Sequence, residues 1–404
     1  MKQFNNYRFS LPTEIVFGVD AEKNLPSLIE KYGGTKVMLV YEGEITRKTG
    51  IYDRIVSVLR DGNIPFAEID GVQPNPRRSL AVEGVRVAME AGADFVLAVG
   101  GASTIDTGKA IALGIANDGD FWQFFSWNPH QTAPTKKVPV GAVNTLAAAG
   151  SETSFSIVIR DDLDLGIKCN CNFDINRPSF AIMNPEFTYT VPKYQTALGT
   201  ADILAHTFDR YFNDSYTCLG DSFAVGVMRN AVKYGPIAVR DPSNYEARAE
   251  LMITASMSHN GITGIGRAGM GGGGHSLEIQ LSGTYDTPHG AGLGVLMPAY
   301  LDYLIAHGEA HHVARAAQFA IDIFDVPPEL GQEREMAEEG VRRFRAWIRS
   351  MDLPLTLTEL GIPNPEKELE AMVARCRCAP DGIIHGFIDL DKAAVRAIYS
   401  SVLK

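Results

Sequence analysis

Two well-separated segments of the chain carry one carboxylate and three imidazoles that suit a metal site. Asp202 and His206 have i, i+4 spacing, so a helix would place them one above the other on the same face. His275 lies in a second helical pattern, and His289 follows Pro288 where a further helix is expected to start. This donor set favours a borderline divalent cation, Fe²⁺ or Zn²⁺, with a coordination position left for substrate. The pattern therefore predicts a metal-dependent enzyme.

A single acid–histidine pair of this spacing is weak evidence, because such pairs are common contacts on helix surfaces. The surrounding sequence strengthens it. Residues 197–204 are small and apolar, as expected of a buried helix, where an unpaired carboxylate would be costly. Three of the nine histidines fall in the two segments. Metal binding therefore explains the pattern better than four unrelated surface or core residues do.

A small-residue turn in the first half of the chain predicts a nucleotide site. The segment Gly100–Asp106 follows a buried strand pattern and opens a helix, whose free N–H groups favour an anion. A second turn of small residues, 144–152, follows another predicted strand. Two such turns at adjacent strand ends would form a crevice at a topological switch point, where dinucleotides bind. The alternative is a turn that needs glycine only for its backbone conformation.

The run Gly269–Gly274 formally matches a dinucleotide-binding fingerprint, but no predicted strand precedes it and His275 follows at once. We interpret this run as a flexible link that lets the His275 helix approach the metal.

Composition narrows the class of protein. A chain of 404 residues is long enough for two domains with large cores, and 45% hydrophobic with 21% charged residues is ordinary for a globular protein. A net charge of −11 argues against a nucleic-acid partner. No apolar run reaches the length of a membrane span, so no membrane partner is expected. The start of the chain lacks an apolar signal core and the five cysteines are an odd number, so we expect a cytoplasmic location with reduced thiols.

The order of predicted elements indicates the fold class. Predicted strands at 14–18, 36–41, 95–99 and 138–143 are separated by helical patterns such as 52–61 and 79–91, which predicts an α/β, Rossmann-like domain with a parallel sheet. After Pro192 nearly every segment has a helical pattern; the clearest are 201–212, 247–258, 275–281, 310–324, 333–350 and 390–402. The predicted domains are residues 1–190, α/β and dinucleotide-binding, and residues 191–404, all-helical and metal-binding.

Taken together, these residues resemble the iron-containing (metal-dependent, group III) alcohol dehydrogenases, nearest the butanol dehydrogenase-like members. The resemblance covers nearly the whole chain and rests on five motifs, namely 74–76, 100–106, 150–152, 200–206 and 285–290. It implies a dehydroquinate synthase-like architecture, and a metal held by Asp202, His206, His275 and His289. It also implies hydride transfer between a primary alcohol, or its aldehyde, and a nicotinamide dinucleotide on the N-terminal domain.

The resemblance extends to the residues that bind the cofactor and to the assembly. Residues expected to contact the cofactor are Glu42, Asn75, Gly100, Gly101, Ser103, Thr104, Asp106, Thr145 and Ser151. A homodimer or higher homo-oligomer is expected.

The chain departs from the family pattern in three places. Glu42-Gly43-Glu44 replaces a run of glycines, and acidic residues near the adenosine ribose favour NAD(H) over NADP(H). Ala102 replaces a third glycine of the phosphate turn, which is a mild change. Ile279 stands where relatives usually carry a histidine that helps to pass the hydroxyl proton outward.

Because isoleucine cannot carry a proton, the proton must leave through water, the cofactor ribose or another polar side chain, for which His259 and Asp286 are the candidate catalytic residues.

Two alternatives stay open at this point. One is a glycerol dehydrogenase-like or dehydroquinate synthase-like enzyme that uses a metal and NAD on the same scaffold. The apolar helix around His206 disfavours a phosphate-bearing substrate. The other is a non-catalytic NAD-binding protein, which the replacement at Ile279 favours and the presence of four ligand residues opposes.

Overall fold

The computed structural model describes residues 5–126, 128, 130–215, 217–267, 269–376 and 378–404. The chain folds into two compact units. Among the described residues, one unit contains 10–191 and 243–256, and the other contains 5–9, 192–242 and 257–404. A domain boundary after residue 190 remains a prediction of the sequence.

A six-stranded parallel sheet forms the centre of the first unit. The strands in chain order are β1 Glu14–Phe17, β2 Val37–Tyr41, β3 Phe66–Ile69, β4 Phe95–Gly100, β5 Val140–Asn144, β6 Ser156–Arg160, β7 Lys168–Asn172 and β8 Phe180–Met183. The sheet has the order β1-β8-β5-β4-β2-β3, and every neighbouring pair in it is parallel. β6 and β7 form a separate antiparallel ribbon. The α/β class predicted from the sequence is confirmed.

The sequence of each strand explains its place in the sheet. β2, β4, β5 and β8 are buried along their whole length, as expected of parallel strands covered on both faces. β1 and β3 lie at the two edges and are partly exposed. The strand predicted to begin at Val138 begins at Val140 instead, directly after Pro139. Proline has no N–H group to donate to a neighbouring strand, so it precedes the ladder rather than joining it.

The helices of the sheet-containing unit follow the strands. Before residue 192 they are α1 Leu25–Lys31, α2 Glu44–Lys48, α3 Ile51–Asp61, α4 Arg78–Ala91 and α5 Ala102–Ala116, and residues 243–256 add most of a further helix to this unit. α5 starts two residues after the end of β4, so its N-terminus lies at the carboxyl edge of the sheet. This is the edge at which α/β proteins bind their ligands.

The rest of the chain is helical, as predicted. Its helices are α6 Lys193–Tyr211, α7 Cys218–Arg240, α8 Tyr245–His259, α9 Gly274–Tyr285, α10 His289–His307, α11 Ala310–Phe324, α12 Glu333–Arg349, α13 Pro365–Arg375 and α14 Lys392–Ser401. α6 is buried from Thr196 to Tyr211 and packs against α7, α9 and α10. No helix in the described part of the chain combines the length and the apolar character that crossing a bilayer requires.

One glycine lets α10 start against α6. A Cβ at Gly290 would lie 2.2 Å from the carbonyl oxygen of Leu198, so no larger residue fits there without moving the backbone. Because Gly290 follows His289 directly, this close approach places the first residue of α10 beside α6.

Candidate metal centre and nucleotide turn

Three imidazoles surround one carboxylate oxygen in the helical unit. Nε2 of His206, His275 and His289 lies 3.4, 3.7 and 3.9 Å, respectively, from Oδ1 of Asp202. Asp202 and His206 share one face of α6, His275 lies in the first turn of α9, and His289 is the first residue of α10. The structure therefore brings together the four residues that the sequence singles out as ligands.

The atoms that face the centre of this group fit a divalent cation. Oδ1 of Asp202 and Nε2 of His275 are buried and make no hydrogen bond within the described structure. Candidate ligand atoms of Asp202, His275 and His289 all lie within 4.8 Å of one another. Buried polar atoms without partners are costly, and a cation among them would satisfy them all. Nitrogen and carboxylate oxygen are also the donor types that Fe²⁺ and Zn²⁺ accept.

The pKa shifts of the histidines in this group also fit a site for a cation. Burial lowers the pKa of His206 well below its ordinary value, and the neighbouring imidazoles lower it further. Burial also opposes protonation of His275, but the carboxylates of Asp202 and Asp209 outweigh it and raise the pKa of His275 to about 9. The group thus favours positive charge close to Asp202 while keeping the His206 imidazole neutral.

Two buried carboxylates that the sequence did not single out contact the candidate ligands. Oδ2 of Asp209 lies 2.7 Å from Nδ1 of His275, and Oε2 of Glu278 contacts Nδ1 of His289. Asp209 and Glu278 each lie three residues after a candidate ligand in sequence. In both cases, however, the imidazole that the carboxylate contacts belongs to another helix. The spacing alone therefore could not reveal the pairing.

The two residues proposed for proton transfer have different surroundings. The His259 ring centroid lies 4.0 Å from that of His206, and Nη2 of Arg210 lies 3.1 Å from Nδ1 of His259. Asp286 is exposed and has a left-handed backbone conformation at the end of α9. Ile279 is half-buried on α9, one turn after His275. His259 thus lies beside the candidate metal ligands, and a role in proton transfer stays a prediction for both His259 and Asp286.

A second cluster of possible ligands is less suited to a cation. Asp214 and His311 are exposed, and His312 is buried beside them. Both ring nitrogens of His312 already have backbone partners: Nδ1 accepts from Glu309 N–H at 2.8 Å, and Nε2 lies 2.6 Å from the carbonyl oxygen of Phe387. A cation would have to break one of these hydrogen bonds, whereas the cluster around Asp202 has buried ligand atoms that face each other.

The predicted nucleotide turn lies between β4 and α5. Gly101 caps α5 with an extended backbone, and a Cβ at Gly100 would lie 2.4 Å from Oγ1 of Thr104. Oε1 of Glu42, directly after β2, accepts the Gly101 N–H at 3.2 Å and lies 3.5 Å from Oγ1 of Thr104. Burial raises the pKa of Glu42, although these hydrogen bonds oppose the rise. The Glu42 carboxylate therefore accepts the N–H of Gly101, one of the donors predicted to face the cofactor phosphates.

Two of the predicted cofactor residues form a buried network with each other. Asp106 accepts a hydrogen bond from the Ser151 hydroxyl at one oxygen, and from the Val158 N–H at 2.8 Å at the other. Lys109, which the sequence did not single out, donates to Ser151 Oγ at 2.7 Å. Burial lowers the pKa of Lys109 to about 8. Because both oxygens of Asp106 have protein partners, its role in this structure is to hold the second small-residue turn against α5.

The remaining predicted cofactor residues lie near the same edge of the sheet or on a preceding loop. The Thr145 N–H donates to the carbonyl oxygen of Gly100 at 3.2 Å, so the two small-residue turns are neighbours. Ser103 is half-buried in the first turn of α5. Asn75 is half-buried with φ 56°, in the segment between β3 and α4. Their contact with a cofactor stays a prediction.

Two glycines of the run before α9 are closely packed against the backbone at the end of α6. A Cβ at Gly271 would lie 2.3 Å from the carbonyl oxygen of Phe212, and one at Gly272 would lie 2.7 Å from Cα of Asp209. Gly271 and Gly272 are therefore explained by the close approach of the backbone at Asp209 and Phe212. Flexibility of the link stays a prediction.

Comparisons with known proteins agree over the whole length of the chain. The family model for iron-containing alcohol dehydrogenase matches residues 12–185, and the model for the C-terminal region of the Fe-containing alcohol dehydrogenase family matches residues 196–403. NADH-dependent butanol dehydrogenase A of Clostridium acetobutylicum is 35% identical over 370 residues, covering 91% of this chain and 92% of the relative. NADPH-dependent aldehyde reductase YqhD of Escherichia coli is 28% identical over 376 residues, covering 91% and 93%. The crystal structure of NADH-dependent butanol dehydrogenase A from Thermotoga maritima superimposes with a TM-score of 0.91 at 31% identity and covers 100% of both chains.

Proposed function

Since the chain belongs to the iron-containing alcohol dehydrogenase family and is an alcohol and aldehyde oxidoreductase, we propose the residues and cofactors that carry out its reaction. One divalent cation, Fe²⁺ or Zn²⁺, is held by Asp202, His206, His275 and His289. The substrate is a primary alcohol or its aldehyde, and the cofactor is NAD(H). The observation that carries this proposal is the convergence of three Nε2 atoms on Oδ1 of Asp202, in a buried group where that oxygen has no other partner.

The residues of the chain position the reactants and the proton. When bound, the cation supplies Lewis-acid stabilisation of a substrate oxygen, and the nicotinamide supplies hydride chemistry. Asp202 contributes the negative charge that offsets the cation. Arg210 is a donor only, so its contact with Nδ1 of His259 leaves the proton of a neutral His259 ring on Nε2. We assign the proton-transfer role of His259 to this nitrogen, on a ring whose centroid lies 4.0 Å from that of His206.

We attribute a preference for NAD(H) over NADP(H) to Glu42. The relatives include enzymes named for NADH and for NADPH, so family membership alone leaves this choice open. Glu42 is half-buried beside the start of α5, where it adds negative charge to the site proposed for the cofactor phosphates. Glu44 is exposed and paired with Lys48 at 2.5 Å, so its charge is neutralised locally. The discrimination is therefore assigned to Glu42 alone.

The proposal also covers assembly and location. The protein is proposed to act as a cytoplasmic homodimer or higher homo-oligomer. All five cysteines are free, which supports a reducing compartment. Light scattering on the purified protein measures the subunit number directly.

Metal content and turnover test the proposal together. Protein purified without oxygen should contain one divalent cation per chain and should interconvert short primary alcohols and aldehydes with NAD(H). His206→Ala should remove most of the cation and the activity while the fold is retained, because one of four ligands is lost. The matched control is His311→Ala, an exposed histidine in the same unit, which should change neither quantity.

Three outcomes distinguish the alternatives. Full cation occupancy in His206→Ala would contradict the ligand assignment. Turnover of polyols in preference to simple alcohols would favour the glycerol dehydrogenase-like reaction. Absence of turnover on every alcohol and aldehyde, with cation and NAD bound, would favour a non-catalytic protein.

A further inference from the structure

We propose that Asp209 and Glu278 are positioning residues of the metal centre. Each carboxylate fixes the tautomer and ring orientation of one histidine, so that Nε2 of that histidine faces Asp202. We call them the anchoring carboxylates. This inference rests on the proposed metal site, and it assigns a role to two residues that do not contact the cation themselves.

Asp209 makes two contacts with His275 and one with the preceding residue, Gly274. Its Oδ2 accepts the backbone N–H of His275 at 2.9 Å and lies 2.7 Å from the ring Nδ1, while its Oδ1 accepts the Gly274 N–H at 3.0 Å. A carboxylate in contact with Nδ1 places the imidazole proton there and leaves the lone pair on Nε2. Asp209 is 1% exposed, so water does not compete for these hydrogen bonds.

The backbone of Asp209 organises the segment that leads into α9. Its carbonyl oxygen accepts the N–H groups of both Gly271 and Gly272 at 2.8 Å. A Cβ at Gly272 would lie 2.7 Å from Oδ1 of Asp209, and one at Gly274 would lie 3.0 Å from the same atom. The glycine run is therefore built around Asp209, and it delivers His275 to a fixed position.

Glu278 holds His289 through a contact with its ring. Its Oε2 contacts Nδ1 of His289, and the residue is 0% exposed. Gly292 leaves the space that this carboxylate needs, because a Cβ there would lie 2.8 Å from both Cγ and Oε1 of Glu278. The side chain of Glu278 thus fits in a pocket against the first turn of α10, directly behind His289.

The anchoring carboxylates connect three helices in series. Asp209 on α6 holds the histidine of α9, and Glu278 on α9 holds the histidine of α10. Nδ1 of His206, by contrast, is buried without a hydrogen-bond partner in the described structure. His206 needs no such anchor, because it lies on the same rigid helix as Asp202. The carboxylates are therefore found at the two ligands that come from other helices.

Substitution by the neutral amide tests this role with little change in shape. Asparagine or glutamine removes the negative charge, and its NH₂ group cannot accept the hydrogen bonds that one carboxylate oxygen accepts, so the histidine is held less firmly. The affinity for Zn²⁺ is measured on the full-length chain by competition with a chelating dye. We expect Asp209→Asn and Glu278→Gln each to bind Zn²⁺ about 10- to 100-fold more weakly than the wild type, the usual effect of losing such a partner.

Two further variants separate positioning from general damage to the fold. Gly292→Ala keeps the carboxylate of Glu278 but fills its pocket, and should also weaken Zn²⁺ binding. Asp221→Asn is the matched control: Asp221 accepts from Arg267 at 2.6 Å and from Arg315 at 2.8 Å in the same unit, and does not contact the histidines in the described structure. It should lower thermal stability without changing the affinity for Zn²⁺. The spectrum of bound Co²⁺ should change in the anchor variants and not in the control.

The results separate failure of this inference from failure of the proposed function. Wild-type protein that binds no Zn²⁺ would contradict the metal site itself. Wild-type binding together with unchanged affinity in Asp209→Asn and Glu278→Gln would overturn the anchoring role alone. If Asp209→Asn does not fold, Asp209→Glu, which keeps the charge but displaces it by one methylene, replaces it. Unchanged Zn²⁺ affinity in both Asp209→Glu and Glu278→Gln would likewise overturn the anchoring role.

Discussion

At the scale of single residues, Glu42 shows how one carboxylate can influence the choice of cofactor. Oε1 of Glu42 accepts the N–H of Gly101 at the start of α5, and burial raises the pKa of the Glu42 carboxyl. Any dinucleotide phosphate near this turn meets the same negative charge. NADPH carries a further phosphate, with up to two additional negative charges, so the repulsion acts more strongly on NADPH than on NADH.

Replacing Glu42 should therefore reduce the preference for NADH over NADPH. We expect Glu42→Gly to lower the NADH over NADPH ratio of kcat/KM by about tenfold to a hundredfold, which corresponds to about 1–3 kcal/mol of lost repulsion. Glu44→Ser is the control and should leave the ratio unchanged, because Glu44 is exposed and paired with Lys48. Similar kcat/KM for both cofactors in the wild type would reject the preference altogether.

The same carboxylate predicts a dependence on pH. Glu42 repels phosphate only when it is ionised, and its raised pKa moves protonation up from the ordinary range. As pH falls toward that pKa, the carboxyl becomes neutral and the preference for NADH should shrink. Dissociation constants for NADH and NADPH, measured by cofactor fluorescence between about pH 5.5 and 8, test this expectation. Glu42→Gln, neutral at every pH, should show a smaller pH dependence of the ratio. An equal dependence in both proteins would assign the effect to the cofactor phosphate itself.

Sequence reasoning identified the candidate ligands but not the residues that hold them. Asp202 and His206 could be identified because i, i+4 spacing on a helix brings two side chains together without knowledge of the fold. Asp209 and Glu278 could not, because each contacts a histidine on a different helix. Lys109 was missed for a similar reason, since its acceptor Ser151 becomes a neighbour only when the sheet forms.

At the scale of elements, continuous apolar strands were predicted, whereas a helix that is apolar on nearly all sides and a strand with few apolar residues were not. The apolar runs that became β2 and β4 were recognised because central parallel strands are continuous hydrophobic stretches. α10 was missed as a complete helix, because it is apolar on nearly all sides and has no amphipathic period. β7, with the sequence KCNCN, was missed because polar residues alternate with its buried cysteines. A periodic sequence pattern reveals an element that has one buried apolar face. α10 is buried on nearly all sides, and β7 has few apolar side chains.

Helix ends followed local chemistry where that chemistry was clear. α11 has the predicted bounds, with a capping box at its start and a left-handed residue, Asp325, after its end. α6 begins at Lys193, earlier than the predicted start at Ala201, directly after Pro192. Proline is favourable just before the first turn of a helix, so Pro192 was the better marker of this start.

At the scale of the whole molecule, the two chemistries belong to separate compact units. The turns proposed for the nucleotide lie in the unit with the parallel sheet, and the proposed metal ligands lie in the helical unit. Each unit has its own hydrophobic core. A cation should therefore contribute its binding free energy to the stability of one unit, and a dinucleotide to that of the other.

Removal of the cation tests this division. The proposed ligands come from α6, α9 and α10, so a cation that binds only the folded state would stabilise the packing of these helices. At a free concentration a hundredfold above its dissociation constant, the gain is about 2.7 kcal/mol. After chelation, we expect faster hydrogen exchange in α6 and in the first turns of α9 and α10, with unchanged exchange in β2 and β4. Adding NAD⁺ should instead slow exchange at the start of α5. Equal loss of protection in the sheet and in the helices after chelation would contradict the division, since a local ligand should stabilise the helices that bind it before the rest of the chain.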